Sequence, residues 1–426
     1  MVNESNSANS ISFIHAADLH LDSPFSGIAE INQKLAHKLS NATFDSFFNL
    51  IYLAIRKEVN FVLFAGDIYD NQNKSLYSQL QFLKGMELLN ESKIEAYIVH
   101  GNHDPLSGWS AHLNWPENVH IFNGKEPEVK VFKSNDFNVH IVGMSYQEHH
   151  IKDNLVKQFP AKSKKWPLTI GLLHCSVGNH GEHYSYSPCT LNDLNQLNYD
   201  YWALGHVHTP SILQNNPPII YSGNTQGRHP GETGERGCYL VKMDNPQIKY
   251  TFQSTSTIYW DCAELSLNGL NSESDLIEML NKHIRTVKNE QTDKSIICRY
   301  KLVGKSKLSS ILNDEEVIDN ILKYFNDDQN LDSQFIWIDR LRNHTKLPIN
   351  RQNIAQRQDL LSEIVKLVDE YQANDDDLTE LFETVSTLFN SNDGKRFLQP
   401  INKSELRTIL YEAEDIILDQ FMENDE

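Results

Sequence analysis

Five short polar turns in the first half of the sequence carry side chains that could bind metal ions or move protons. In chain order they are Asp18-Leu19-His20, Gly66-Asp67-Ile68-Tyr69-Asp70, Gly101-Asn102-His103-Asp104, His174-Cys175 and Gly205-His206-Val207-His208. Each turn follows a short apolar, β-branched run, which is typical of a strand buried on both faces. Ligands bind at the carboxyl ends of strands in α/β sheets, so we expect the five turns to line one crevice.

The residue types in these turns suit a pair of divalent cations. Carboxylate, imidazole and amide oxygen together favour a borderline-hard ion such as Mn²⁺, whereas a softer ion would require thiolates. Two such cations about 3.5–4 Å apart can hold the attacking and leaving oxygens of a displacement at phosphorus. The departing oxygen also needs a proton donor, and an imidazole can supply the proton. The sequence therefore predicts a two-metal phosphoesterase.

The spacing of apolar residues predicts the elements that position these turns. Six nearly continuous apolar runs predict buried strands, at residues 11–15, 60–64, 96–99, 139–142, 168–173 and 201–204. We interpret two later runs, 219–221 and 238–243, as the arms of a hairpin. Helical spacing occurs at 44–59 and 76–88, between the early strands. Strands that alternate with helices first and follow one another later favour a layered α/β sandwich.

Changes in composition divide the chain into four parts. Residues 1–10 are rich in Asn and Ser and predict a disordered tail, whereas residues 11–258 hold all five turns. Residues 259–347 contain strand-like runs and amphipathic helices without histidine-rich turns, so we expect a small α+β accessory domain. Residues 348–426 have the apolar spacing of helices, which predicts a helical C-terminal region.

The net charge of −19 is concentrated toward the C-terminus. Residues 261–426 hold 19 Lys and Arg against 33 Asp and Glu, and residues 361–426 alone hold 5 against 17. Several carboxylates before residue 260 fall in the five turns, where bound cations would offset their charge. The acidic composition is therefore weak evidence against a nucleic-acid substrate.

Cysteine usage and hydropathy indicate where the protein works. The five cysteines are widely spaced and form no CxxC pair, which argues against a disulfide framework or a zinc site and fits a reducing compartment. No apolar run approaches the ~20 residues that span a bilayer. The first residues lack the basic and apolar regions of a signal peptide. We expect a cytoplasmic protein without a membrane partner.

The order of the motifs resembles a known family. D-x-H, G-D-x-x-D, G-N-H-D, a single His and G-H-x-H resemble the calcineurin-type metallophosphoesterase superfamily, strongly over residues 11–255. The segments FIHAADLHLDSPF, YWALGHVHTP and YSGNTQGRHPGETGERGCYLV resemble the bacterial YhaO proteins, relatives of the SbcD exonucleases. The resemblance implies a four-layer β-sandwich flanked by helices, with a small α+β capping domain and a helical tail. It also implies a manganese-dependent DNA exonuclease of DNA repair.

The resemblance further implies a role for each residue of the turns. It assigns two sets of metal ligands and one bridge between them: Asp18, His20 and His208 for the first metal, Asn102, His174 and His206 for the second, and Asp67 for both. His103 would stabilise the transition state and protonate the leaving oxygen, with Asp104 orienting its ring. A hydroxide bridging the metals would be the nucleophile, so we expect no covalent enzyme intermediate.

One position departs from part of the family. Archaeal and eukaryotic relatives place a second histidine where this chain has Asp70, whereas SbcD-type sequences have Asp there. We therefore do not expect a two-histidine mechanism, and Asp70 would position a helix or a ligand. For both Asp70 and Asp104, helix capping or turn bonding remains an alternative.

Other polar residues have two interpretations. Arg228 and His229, in the glycine-rich stretch 223–237, are candidates for substrate contact, although a hairpin turn would also explain the glycines. Four further histidines are either substrate contacts or ordinary loop residues: His149, His150, His180 and His183. We interpret His15 as a core residue and Cys175 as a packing residue rather than a nucleophile.

Three functions remain open. The leading hypothesis is a two-metal DNA nuclease that binds an SMC-like, ABC-type ATPase through its C-terminal helices, as SbcD-like nucleases do. The first alternative is a metallophosphatase or small-molecule phosphodiesterase with the same metal site. The second is a regulatory subunit that binds DNA without cutting it. A homodimer, common in the family, would place two active sites on one duplex.

Overall fold

Most of the apolar runs in the first 260 residues fold as buried strands in the computed structural model of the chain. It describes residues 10–23, 33–70, 75–134, 138–178, 186–244, 247–327, 329–348, 350–390, 399 and 401–422. The predicted tail, apart from Ser10, lies outside the described residues, as do His180 and His183.

The strands confirm the main periodicity signal. They are β1 (Ser10–Ala16), β2 (Phe61–Ala65), β3 (Glu95–Val99), β4 (Val119–Ile121), β5 (Glu128–Lys133), β6 (Asn138–Met144), β7 (Leu168–His174), β8 (Tyr201–Gly205), β9 (Ser211–Asn215), β10 (Pro218–Tyr221), β11 (Gly237–Asp244), β12 (Gln247–Ser254), β13 (Ile258–Ser266), β14 (Ser295–Lys305) and β15 (Ile336–Lys346). All six predicted buried strands are present, as β1, β2, β3, β6, β7 and β8. Their side chains are almost entirely buried because both faces of each strand are covered.

The helices lie between strands along the chain and form the C-terminal region. They are α1 (Gln33–Arg56), α2 (Leu76–Glu91), α3 (Leu191–Asn195), α4 (Glu273–Glu290), α5 (Glu315–Asn326), α6 (Arg351–Ala355), α7 (Leu360–Ala373), α8 (Asp375–Asn390) and α9 (Lys403–Met422). The spacing at 44–59 falls in α1, which begins already at Gln33, and α2 confirms the second predicted helix. The hydroxyl of Ser75 accepts a bond from the Ser78 N–H and caps α2. No helix of the described part is long and apolar enough to cross a membrane.

Two six-stranded sheets lie face to face. The first has the order β12-β11-β1-β2-β3-β4, with β1 to β4 parallel, and the second has the order β5-β6-β7-β8-β10-β9, with β6, β7, β8 and β10 parallel. Phe13 and Phe61 of the first sheet share a buried cluster with Ile170 and Tyr201 of the second. The outer face of the first sheet packs on α1 and α2, and that of the second packs on α3 and the 3₁₀ turn Leu155–Gln158. The layered α/β sandwich is therefore confirmed.

The predicted hairpin of 219–221 and 238–243 is wrong. β10 pairs with β8 and β9 in the second sheet, whereas β11 pairs with β1 and β12 in the first. The true hairpin partners, β9 and β12, are partly exposed edge strands without a continuous apolar run, so the sequence pattern did not reveal them. Because residues 222–236 connect the two sheets, this glycine-rich segment is a crossover rather than a tight turn.

The chain divides into two compact units, Met1–Cys262 with Arg285–Arg299 and Phe325–Asp339, and Ala263–Ile284 with Tyr300–Tyr324 and Arg340–Glu426. In the first, Trp260 and Trp337 pack with Leu35 and Leu39 of α1. In the second, α6, α7 and α9 share the small core of Ile354, Leu361, Val365 and Leu418. β13, β14 and β15 form a separate three-stranded sheet, and the first of these strands was not predicted.

Candidate dimetal site

The five polar turns meet at the carboxyl ends of strands from both sheets. Asp18, Asp67 and Asn102 follow β1, β2 and β3, whereas His174 ends β7 and His206 follows β8. Backbone bonds join neighbouring turns: the N–H of Asp18 donates to the Gly66 carbonyl, and that of His20 to the Asp67 carbonyl, both at 3.0 Å. The structure thus brings together the residues predicted to line one crevice.

Several of the predicted ligands have a left-handed backbone conformation. The φ angles are 52° at Asp18, 44° at His20, 50° at Asp67 and 104° at His206, and in the described part these are four of nine such non-glycine residues. A residue held in such a conformation costs about 1–3 kcal/mol, and this strain clusters at functional sites. The strain indicates that these turns hold their side chains in position at a cost in local stability.

Asp18, His20 and His208 form the first group of candidate ligands, with one ligand atom of each within 4.8 Å of the others. His208 Nδ1 donates to the Glu232 carboxylate at 2.6 Å, and His20 Nδ1 lies 2.9 Å from the Asp70 carboxylate. When the proton of a neutral imidazole is held at Nδ1, the lone pair on Nε2 is free to bind a cation. The two Nε2 atoms face each other at 3.1 Å, which fits two ligands of a single cation.

A second group lies around His174. Its Nδ1 donates to the Ala65 carbonyl at 3.0 Å, which leaves Nε2 facing the site. That Nε2 lies 3.0 Å from the side-chain oxygen of Asn102 and 3.3 Å from Asp67 Oδ2, and the His206 ring centroid is 5.2 Å from that of His174. Asp67 Oδ2 also lies 3.9 Å from His20 Nε2, so this carboxylate stands between the two groups, as a bridging ligand must.

Burial governs the electrostatics of both groups. Burial lowers the pKa of His206 to about 3 and that of His20 to about 4, so both imidazoles are neutral at pH 7 and can bind a cation. Burial alone would also lower the pKa of His174, but the Asp67 carboxylate outweighs it and raises the pKa to about 9. Asp18 and Asp67 are almost fully buried carboxylates, and buried carboxylates are stable only when paired or bound to metal. The donor set therefore fits divalent cations.

The structure corrects the partner predicted for Asp104. The carboxylate of Asp104 is buried. It accepts hydrogen bonds from the N–H groups of Ile68 and Gly101 and lies 3.0 Å from His100 Nδ1. His103 Nδ1 instead donates to the main-chain carbonyl of Asp70 at 3.0 Å. The predicted pairing of Asp104 with the His103 ring is therefore wrong, because the carboxylate is already occupied by turn bonds. The turn-bonding alternative describes its contacts.

A buried network of charged side chains lies behind the first group. Nη1 of Arg228 is 2.7 Å from Asp70 Oδ1 and donates to Ser23 Oγ at 3.0 Å, and Nη2 is 3.4 Å from Glu232 Oε1. The Arg228 side chain is only 11% exposed, whereas that of His229 is 47% exposed and lies 3.4 Å from Glu232. Arg228 thus joins the two carboxylates that face His20 and His208.

Sequence reasoning missed Glu232. Its carboxylate contacts His208, Arg228 and His229, and the hydrogen bond from His208 with the charge of Arg228 outweighs burial and holds its pKa well below the usual range. The available signal was a carboxylate inside the glycine-rich segment that already contained Arg228. The sequence also allowed a hairpin turn for this segment, and such a turn gives no reason to expect a carboxylate that orients a histidine.

Two further interpretations are confirmed. His15 is fully buried and bonds to the Tyr201 hydroxyl and the Leu204 carbonyl, as a core residue does. Cys175 is buried, its Sγ lies 3.8 Å from that of Cys189, and its pKa is raised well above the usual range by that hydrogen bond and by burial. A thiol in this environment packs and does not act as a nucleophile.

The chain is similar to several known proteins. The model of the calcineurin-like phosphoesterase family matches residues 11–210. The chain is 35% identical over 346 residues to the uncharacterized metallophosphoesterase YhaO of Bacillus subtilis, covering 81% of this chain and 84% of that protein. It is 25% identical over 292 residues to the DNA double-strand break repair protein Mre11 of Methanocaldococcus jannaschii, covering 65% and 74%. A solved dimetal phosphatase from Danio rerio aligns with a TM-score of 0.38 and 14% identity, covering 57% of this chain and 96% of that one.

Proposed function

The chain belongs to the calcineurin-like phosphoesterase family, and from this membership we propose that it is a DNA nuclease that hydrolyses phosphodiester bonds with two divalent cations. The observation that carries the proposal is the meeting of two ligand groups at Asp67. When bound, the cations would polarise a phosphoryl oxygen and lower the pKa of the attacking water. Mn²⁺ is the ion we propose, because the donors are carboxylate, imidazole and amide oxygen.

The proposed ligands are the two groups of side chains described above, with one group for each cation. One cation would be held by Asp18, His20 and His208, the other by Asn102, His174 and His206, and both by Asp67. Asp70 and Glu232 would keep the Nδ1 protons of His20 and His208 in place, so that Nε2 of each ring faces the cation.

His103 is the proton donor of this proposal. It is half-buried at the rim of the site, and its ring centroid is 5.0 Å from that of His20. Because Nδ1 donates to the Asp70 carbonyl, the protonated ring holds its second proton at Nε2, from which it can pass to the leaving oxygen. The His103 N–H donates to Asp67 Oδ1 at 2.9 Å, which ties the donor to the bridging carboxylate.

DNA is the proposed substrate because of the similarity to Mre11, whose name describes a DNA double-strand break repair protein. The test is hydrolysis of end-labelled duplex and single-stranded DNA with Mn²⁺, Mg²⁺ or EDTA. We expect manganese-dependent cutting that is lost in His103→Gln, since glutamine cannot deliver the proton. Cutting that continues in EDTA, or in His103→Gln at the original rate, contradicts the proposal.

Two other functions are tested when a phosphate monoester and a small phosphodiester are compared with duplex DNA in the same assay. A metallophosphatase or small-molecule phosphodiesterase would hydrolyse a phosphate monoester or a small diester faster than duplex DNA. A regulatory subunit would bind DNA without cutting any of the three substrates. The presence of every predicted ligand together with His103 favours an active enzyme over the regulatory subunit.

We also propose that the helical region of residues 348–426 binds an SMC-like ATPase. Leu360 and Leu367 lie seven residues apart on α7 and are each more than half exposed, and an amphipathic helix can dock such a stripe into a groove. Deletion of residues 360–426 should abolish co-purification with the ATPase while nuclease activity on single-stranded DNA remains. Unchanged co-purification would contradict this role.

The domain boundaries at residues 258 and 347 remain predictions.

A homodimer and a cytoplasmic location complete the proposal. Tyr52 of α1 and Leu76 and Tyr77 of α2 are each more than half exposed, and such an apolar surface suits a second copy of the chain. Light scattering should give twice the chain mass, and Tyr77→Glu should give the monomer.

All five cysteines are free thiols, in keeping with a reducing compartment.

A further inference from the structure

We propose that His149, His150 and Tyr186 form an aromatic shelf on which a base of the DNA substrate stacks beside the dimetal site. The proposal rests on the nuclease function above and adds a substrate-binding surface to it. His149 and His150 were among the histidines that the sequence left open between substrate contact and ordinary loop, whereas Tyr186 was not singled out.

The shelf touches the proposed catalytic residues on two sides. His149 Nδ1 donates to the main-chain carbonyl of Asn102, and its ring centroid is 6.3 Å from that of His103. Tyr186 lies with its ring centroid 5.4 Å from that of His206. A base resting on these rings therefore belongs to a nucleotide next to the scissile phosphate.

Two rings of the shelf, those of His150 and Tyr186, are nearly parallel, and the ring of His149 meets His150 edge-on. The centroids of His150 and Tyr186 are 5.6 Å apart with an interplanar angle of 13°, and those of His149 and His150 are 4.4 Å apart with an angle of 68°. His150 is exposed, and His149 and Tyr186 are half-buried. Rings that only filled the core would be covered, so within the described part of the chain these partly exposed rings are accessible to a planar ligand.

Backbone bonds hold the two loops of the shelf together. The Ser187 N–H donates to the Ile151 carbonyl at 2.7 Å, and the Ser176 N–H donates to the Tyr186 carbonyl at 2.9 Å. The Tyr186 N–H also donates to Ser176 Oγ at 3.3 Å. Because the loops are fixed in this way, a ligand that stacks on the shelf would order little additional chain.

The chemistry of the shelf favours a base over a phosphate. Glu148, which precedes His149 in the chain, is an exposed carboxylate that accepts a bond from Ser107 Oγ at 3.1 Å, and its charge would repel a phosphate. Aromatic faces stack on any base, since every base has a π-face, so the shelf would bind DNA without reading its sequence. A substrate without a base gains nothing from these rings.

The experiment compares tetrathymidylate with the same oligonucleotide in which tetrahydrofuran replaces every base. With Mn²⁺, wild-type protein should have about tenfold higher kcat/KM for the oligonucleotide with bases, the size expected for one stacked base. Tyr186→Ala and His150→Ala should reduce this ratio to about twofold or less, because the stacking surface is removed. Tyr186→Phe keeps the ring and should keep the ratio, and His112→Ala removes an exposed histidine outside the shelf and should also keep it.

A second measurement separates the shelf from the nuclease function. Binding of the two oligonucleotides to the full chain in EDTA, by fluorescence anisotropy, should show the same preference for bases and the same loss in Tyr186→Ala. A wild-type ratio near one in both measurements, or an undiminished ratio in both alanine variants, overturns the shelf. If wild-type protein cuts neither oligonucleotide the nuclease proposal fails, and the preference in EDTA alone then decides for or against the shelf.

Discussion

At the scale of single residues, the site depends on which nitrogen of each histidine carries the proton. Acceptor oxygens lie within 3.0 Å of Nδ1 in His20, His174 and His208, so that Nε2 of each faces the site. Asp70 belongs to a predicted motif, whereas the Ala65 carbonyl and Glu232 do not, and the motifs do not show which histidine each of these oxygens faces. The motifs therefore predicted the candidate ligands, and only the fold revealed what orients them.

Glu232 provides the most direct test of this orientation. Glu232→Gln removes the charged acceptor of His208 while keeping the side-chain shape, and loss of such a partner typically weakens metal affinity about 10–100-fold. The measurement is equilibrium dialysis of Mn²⁺ against the full chain. Glu235→Gln is the matched control, because Glu235 lies in the same segment but pairs with Lys294. Equal affinity in wild type and Glu232→Gln would contradict the assigned role.

Asp104 should act through the turn and not through the His103 ring. Asp104→Asn replaces one acceptor oxygen by a donor that faces the N–H of Ile68 or Gly101, so we expect a loss of about 1–3 kcal/mol in the free energy of unfolding. Urea denaturation measures this loss. The pH profile of kcat in the folded variant should match wild type. A pH profile of kcat displaced from that of wild type would contradict this role and support the pairing of Asp104 with the His103 ring.

At the scale of elements, the sequence predicted the strands whose apolar runs are continuous and buried, and it missed strands that are half-exposed. The strands that end in the polar turns were found because both of their faces are covered, which makes the apolar run unbroken. β9 and β12 lie at sheet edges and were missed, and this error turned the crossover 222–236 into a predicted hairpin. The same crossover carries Glu232, so the two errors have one origin.

The turn after β3 should tolerate no side chain at its glycine. A Cβ at Gly101 would lie 2.2 Å from Asp67 Oδ1, so Gly101→Ala must displace the proposed bridging carboxylate. We expect a loss of manganese-dependent hydrolysis of at least about 100-fold, as for other displaced catalytic groups. Gly231→Ala is the control, since its Cβ would meet only the imidazole of His229, at 3.0 Å. Comparable activity of Gly101→Ala and wild type would contradict the position assigned to Asp67.

At the scale of the whole molecule, the charge distribution agrees with a cation-dependent enzyme. The N-terminal part is less acidic than the net charge of −19 suggests, and some of its carboxylates are the buried ones of the site. Without cations, Asp18 and Asp67 share a buried site with His174 as the neighbouring positive charge. Bound cations should therefore stabilise the fold as well as supply the chemistry.

Thermal unfolding should reveal this coupling. Mn²⁺ at about 100 times its Kd stabilises the folded state by about 2.7 kcal/mol through mass action, which raises Tm by several degrees. Differential scanning calorimetry with Mn²⁺ or EDTA measures the shift. Asp67→Asn removes a charge proposed to be shared by both cations and should show a smaller shift. The same Tm in Mn²⁺ and EDTA for wild type would mean that the cluster binds no cation.

The number of manganese ions bound per chain tests the central claim most directly. Equilibrium dialysis of wild-type protein against Mn²⁺, with the bound metal measured by atomic absorption, should give two ions per chain, and Asp67→Asn should bind fewer. One ion or none per wild-type chain, or two ions of unchanged affinity in Asp67→Asn, would contradict a site in which two ligand groups meet at a bridging carboxylate.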